Sequence, residues 1–211
     1  INIYVYMKDT FCVLPFTHLA THPDGHVTPC CESTFHASTG GKNLYMGTDS
    51  IESIRDSDSF KELKQAMLRN EKHSACNFCY KMEEKGLESK RIRENRNAGV
   101  TEKNMQTFIV KNNLLNVELR LGNICNSKCL ICNPFSSSKW NEDVSVIDTN
   151  KFGGDYIKTI NREWYRDETI YDDLLKHSKH INRVWFNGGE PTLIKEHFYF
   201  FEQPTVIGYC K

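Results

Sequence analysis

Three thiols packed into eight consecutive positions constrain this 211-residue chain more than any other feature. Residues 122–134, GNICNSKCLICNP, carry Cys125, Cys129 and Cys132 in a C-x3-C-x2-C spacing. Three thiolates this close could serve zinc with a distant fourth donor or an iron–sulfur cluster. Structural zinc sites usually arrive as paired CxxC knuckles, and no fourth Cys or His stands nearby to close a tetrahedron. A four-iron cluster held by three thiolates keeps one iron without a protein ligand, open to a small chelating molecule. The spacing therefore favours an open cluster.

The flanks say where that loop sits. In LLNVELRLG, 114–122, Leu115, Val117, Leu119 and Leu121 alternate with Asn116, Glu118 and Arg120, the pattern of a strand. The cysteine loop follows it directly. Helical patterns run from about Ser136 to Ile147 and around Glu163 to His177. INRVWFNGGEP, 181–191, is a second strand that ends in a Gly-Gly turn, and KEHFYFFE after it reads as a helix. Strand, helix, strand is the order of an α/β fold with parallel sheet and crossover helices.

A second thiol set lies upstream: Cys12, Cys30, Cys31, Cys76 and Cys79, with Cys210 alone near the end. Residues 11–31 predict short strands around the turn Pro23-Asp24-Gly25. Asp58-Ser59 opens a helix with Phe60, Leu63, Met67 and Leu68 on one face, delivering the chain to Cys76-Asn77-Phe78-Cys79. A polar helix is expected from about Lys81 to Asn97, its charges solvated, then a linker to about Gln106. His18, His22, His26, His36 and His73 are expected in turns or at the surface, and none is assigned as a ligand.

Composition narrows the class. The nine cysteines are too few for a disulfide scaffold, and INIYVYMKDT lacks the basic, apolar, small-residue order of a signal peptide. Reduced thiols acting as metal ligands in a cytoplasmic protein are the expectation. With 27 basic and 27 acidic residues the formal charge is zero, which gives no support for a nucleic-acid partner. No run reaches the roughly 18 apolar residues of a membrane span. Twelve Phe, nine Tyr and three Trp suffice for a core.

CNSKCLIC after a first strand, followed by NGGEP (Asn187, Gly188, Gly189, Glu190, Pro191) after the next, resembles the radical S-adenosylmethionine (radical SAM) superfamily. The resemblance implies that Cys125, Cys129 and Cys132 hold a [4Fe-4S] cluster whose fourth iron is chelated by SAM. The NGGEP turn would bind the methionine end of SAM, with Glu190 accepting from its ammonium group. Cleavage of SAM would give a 5′-deoxyadenosyl radical that abstracts hydrogen from a substrate, of the peptide- or small-molecule-modifying kind. An electron donor such as a flavodoxin or ferredoxin is implied too. Ile131 stands where many members carry an aromatic residue near the adenine.

Upstream, Phe11-Cys12, the Gly25-x4-Cys30 element GHVTPC and Cys76-x2-Cys79 resemble the SPASM and twitch domains, which hold auxiliary iron–sulfur clusters. The implied ligands are Cys12, Cys30, Cys76 and Cys79, with Cys31 able to replace Cys30. Zinc on the same four thiols, in a non-catalytic binding module, is the alternative. The expected architecture is a small α+β twitch-like domain with linker over 1–110, then the first β-α-β part of a partial (β/α)6 barrel over 111–211. Only residues 192–211 follow the turn, too few for four more units of roughly 30 residues each. The expectation is a barrel cut short, with an unpaired strand edge.

Overall fold

A computed structural model describes residues 10–146 and 163–202. Cys210 and the tail around Pro204 lie outside the described residues.

The chain folds as a mixed α/β structure around a four-stranded sheet ordered β2-β1-β5-β6. Strands β1 (His18–Thr21) and β2 (Val27–Thr28) form an antiparallel pair. Strands β3 (Ser38–Thr39) and β4 (Lys42–Asn43) make a separate two-stranded sheet. Strand β5 (Asn116–Arg120) lies parallel to β1, with Val117 opposite Leu19, and parallel to β6 (Arg183–Asn187), with Val117 opposite Val184. The edge of β5 expected to be open is thus covered by β1, so one sheet continues across residue 110. Strand β6 forms the sheet's other edge.

Because side chains alternate along a strand, each face has its own chemistry. Leu19, Val117 and Leu119 point into the core, fully buried. His18, Asn116, Glu118, Arg120, Trp185 and Asn187 share the opposite, polar face.

The helices follow local rules. α1 (Leu14–Thr17) carries Pro15 in its first turn, where a missing N–H costs nothing. Ser50 caps α2 (Ile51–Arg55), and Ser57 caps α3 (Asp58–Leu68) by accepting from the Phe60 N–H. α3 buries Phe60, Leu63, Ala66 and Met67, while Leu68 is only half-buried. The expected polar helix is two: α4 (Asn77–Glu84) and α5 (Lys90–Asn97), broken at Gly86, whose φ is 72°.

The expected linker is α6 (Glu102–Lys111), nucleated by a capping box in which Thr101 and Asn104 satisfy each other's backbone N–H. Of the helix expected from about Ser136 to Ile147, the described residues 136–146 form only a 3₁₀ turn, Ser138–Asp143. Beyond a further 3₁₀ turn (Trp164–Arg166) come α7 (Thr169–Lys176) and α8 (Glu196–Glu202). Among the described residues no helix is long and apolar enough to cross a membrane.

Candidate metallocofactor sites

Cys12, Cys30, Cys76 and Cys79 line one cavity, together with Pro29, Ala75 and Arg91. Three distant segments bring them there: the loop before α1, the strand-end after β2, and the start of α4. Burial pushes the Cys12 thiol well above its ordinary value, and its neighbours Cys30, Cys76 and Cys79 raise it further. Burial likewise lifts Cys30 and Cys76 to about 12 each, Cys79 adding to the rise at Cys76. Four soft donors in an apolar pocket, with Cys12, Cys30 and Cys76 held above the ordinary thiol range, fit a group that brings its own positive charge. The Tyr80 hydroxyl beside Cys76 is buried without a hydrogen bond of standard geometry, a donor available to a sulfur acceptor.

Cys31 does not share that cavity. Lys90, which lines the four-thiol cavity too, donates from Nζ to the Cys31 Sγ at 2.8 Å, and Cys31 faces a different cavity over the polar side of the sheet. Burial pulls the Lys90 ammonium down, but the Cys31 sulfur and Glu118 outweigh it and leave it above its ordinary value.

Two residues that sequence reasoning placed on a solvated face hold this site together. Asn95 accepts from the Val13 N–H and donates to the Phe11 carbonyl, both at 2.8 Å. Arg91 donates to the same carbonyl at 3.1 Å and pairs with Glu83. They fix the backbone on either side of Cys12. Their signal was indirect: an Arg and an Asn four apart on one helix face, within an otherwise charge-dense run.

The turn Pro23-Asp24-Gly25 also has a packing reason. Gly25 adopts φ 85°, and a Cβ there would meet the Met46 carbonyl and the Trp164 ring at 3.1 Å. Trp164 closes over the turn and donates from Nε1 to the Pro23 carbonyl at 3.1 Å. Two of these histidines are not surface residues: His18 and His26 are buried, while His22 is half-buried and His36 exposed as expected, and the His22, His26 and His36 rings stack with centroids 4.0 and 4.3 Å apart. Burial lowers His22 to about 3 and His18 to about 4.

Cys125, Cys129 and Cys132 occupy the loop after β5, outside helix and strand. Cys129 is exposed and the other two are half-buried, so the three sulfurs stand at the surface rather than in the core. Asn123 anchors the loop's base: its side chain donates to the Pro134 carbonyl at 2.9 Å and its own carbonyl accepts from Ser138 at 2.7 Å. Lys128 ties the middle to Glu142 and Asp143, 3.0 and 2.7 Å away. Leu130 and Ile131 project with 97% and 99% of their surface exposed.

The Asn187–Pro191 turn docks on this loop through backbone. Glu190 N–H donates to the Ile124 carbonyl at 2.7 Å and Gly189 N–H to the Ser136 carbonyl at 3.0 Å. A Cβ at Gly189 would lie 2.1 Å from that Ile124 oxygen, so only glycine permits the approach. Asn187 Nδ2 donates to Glu118 at 2.9 Å. Glu190 Oε1 accepts from the Thr192 N–H and hydroxyl at 3.1 and 2.7 Å, which holds its carboxyl below the ordinary range.

All eight described cysteines are free thiols, and among the described residues no group of three or more His, Cys, Asp or Glu converges on a single-ion position. The chain thus presents two thiol sites, one enclosed and one open. Residues 12–80, which contain the whole enclosed set, match the SPASM family, an iron-sulfur cluster-binding domain. Iron–sulfur and metal binding is the class of function this match supports. No curated protein and no solved structure matches the chain.

Proposed function

We propose that the chain is part of a radical SAM enzyme, with an auxiliary-cluster domain over 1–110 and the start of a partial barrel over 111–211. Cys125, Cys129 and Cys132 would hold the SAM-binding [4Fe-4S] cluster, and Cys12, Cys30, Cys76 and Cys79 the auxiliary one. When bound, the first cluster supplies the electron that splits SAM into methionine and a 5′-deoxyadenosyl radical.

The chain's own residues have definable tasks. Asn123, Lys128 and Ser138 pin the loop at its base and middle, with Cys129 exposed and Cys125 and Cys132 half-buried. Glu190, oriented by Thr192, offers a carboxylate to an ammonium group, a charge-assisted contact. Leu130 and Ile131 present apolar surface that a bound adenine would cover. An external electron donor of the flavodoxin or ferredoxin type completes the partners.

The observation that carries this reading is the docking of the Gly-Gly-Glu turn on the three-cysteine loop, 65 residues apart from Ile124 to Gly189. A zinc-binding module has no need of that contact. The test is anaerobic reconstitution with iron and sulfide, then addition of dithionite and SAM. Formation of 5′-deoxyadenosine, abolished in Cys125→Ala, is expected. A colourless protein with stoichiometric zinc and no SAM turnover would overturn the reading in favour of a binding module.

A further inference from the structure

A cavity of about 280 Å³ opens on the polar face of the sheet, and the cysteine motifs do not account for it. Its floor is made by His18, Glu118 and Trp185 on three adjacent strands, and its wall by Lys90 and Glu94 of α5. His18 is 2% exposed, and its Nδ1 lies 2.9 Å from the Pro29 carbonyl. A carbonyl only accepts, so that nitrogen carries the proton and Nε2 is left as an acceptor. Among the described residues Nε2 has no partner, although the ring lines the cavity.

Both signs of charge stand at the cavity. Glu94 and Glu118 face Lys90, and Arg120 approaches Glu118 at 3.7 Å. Arg183 sits against the Trp185 ring, 5.0 Å from its centroid. A ligand of either charge would therefore meet a like charge beside the opposite one. Lys90 and the Asn116 and Asn187 amides as donors, and Glu94, Glu118 and His18 Nε2 as acceptors, line the same cavity, which suits hydroxyl groups, since each both donates and accepts. Trp185, 37% exposed, offers an apolar flank at an otherwise polar site.

We propose that this cavity binds a neutral, hydroxyl-rich ring of monosaccharide size, its C–H surface against Trp185 and its hydroxyls on His18, Glu118 and Lys90. Asn187 lines the same cavity and begins the Gly-Gly-Glu turn, so the ligand lies beside the proposed cofactor site. As a binding site the cavity stands on its own geometry. As the substrate's site it rests on the radical SAM reading.

The test is calorimetric titration of the full chain with glucose, galactose, mannose and ribose, against glucosamine, glucuronate and adenosine. A neutral sugar is expected to bind at least about tenfold more tightly than either charged analogue. Trp185→Ala and Glu118→Gln are each expected to weaken it about tenfold, the loss of one aromatic platform or one charge-assisted bond. Trp185 lies on the edge strand, so its variant keeps the test valid if Glu118→Gln fails to fold. No sugar binding, tighter binding of a charged analogue, or displacement by SAM or adenosine would overturn the proposal. Sugar binding without 5′-deoxyadenosine formation would sink the radical reading and keep the cavity. The reverse outcome would do the opposite.

Discussion

The two thiol sites differ in almost every physical respect. The upstream set comes from three segments brought together by tertiary packing, lies in an apolar cavity, and has its backbone gripped by Arg91 and Asn95. The downstream set comes from one loop, stands at the surface, and is held at its base and middle by polar contacts to the following 3₁₀ turn. A closed donor set is what a structural group requires, and an open one is what a small chelating molecule requires. Removing the first should therefore damage the fold, and removing the second should not.

That contrast breaks most sharply under mutation of the thiols. Cys76→Ser with Cys79→Ser is expected to abolish auxiliary iron, measured as iron and sulfide per chain, and to lower the unfolding midpoint. Replacing Cys125, Cys129 and Cys132 by Ala should remove the other iron while shifting unfolding free energy by under about 0.5 kcal/mol, as for exposed positions generally. Equal destabilisation by both would erase the distinction.

Arg91→Leu comes next. It leaves the mostly buried Glu83 without its cation and removes one of the two donors to the Phe11 carbonyl, a loss of about 3 kcal/mol by chemical denaturation. It should also lower auxiliary iron, with the iron of the three-cysteine loop retained. Gly189→Ala forces a methyl group into the Ile124 carbonyl at a position with φ 51°. The expected cost is about 2 kcal/mol, together with loss of SAM-dependent turnover, because backbone on both sides must move.

Acid should act on the upstream half. His18 and His22 are held neutral by burial, down to about 4 and 3 respectively, whereas both titrate near 6.5 when unfolded. Between those limits the unfolded chain binds more protons, so stability rises with pH and falls as pH drops below about 6.5. Each histidine contributes a slope of about 1.4 kcal/mol per pH unit there. His22→Asn should roughly halve the slope in a pH series of urea melts, and an unchanged slope would place the acid sensitivity elsewhere. Among the single substitutions the smallest loss is at Thr101→Ala, about 1 kcal/mol, through loss of the capping box of α6.

What the sequence makes legible follows from how local each signal is. The alternation at 115–121, the Phe60 face and the Gly-Gly turn are properties of a few neighbouring residues, and all lie in elements of the expected type. The helix α6 was hidden because Asn97, Gly99 and Asn104 outweigh, by composition, a Thr-x-x-Asn box that only its geometry reveals. The pairing of β1 with β5 joins residues about a hundred positions apart, and parallel partners leave no turn between them to read. Arg91 and Asn95 looked solvated because their partners, Phe11 and Val13, are equally remote in the chain. The thiol motifs themselves were visible, but the separation of Cys30 from Cys31 into different cavities depends on Lys90, which no spacing rule indicates.

The measurement that bears most directly on an enclosed and an open site is electron paramagnetic resonance of the dithionite-reduced, iron-loaded chain with and without SAM. Signals from two clusters are expected, with SAM shifting only the one that disappears in the Cys125, Cys129 and Cys132 triple alanine variant. A SAM-dependent shift that persists in that variant, or no shift at all in the parent, would contradict the assignment of the open site.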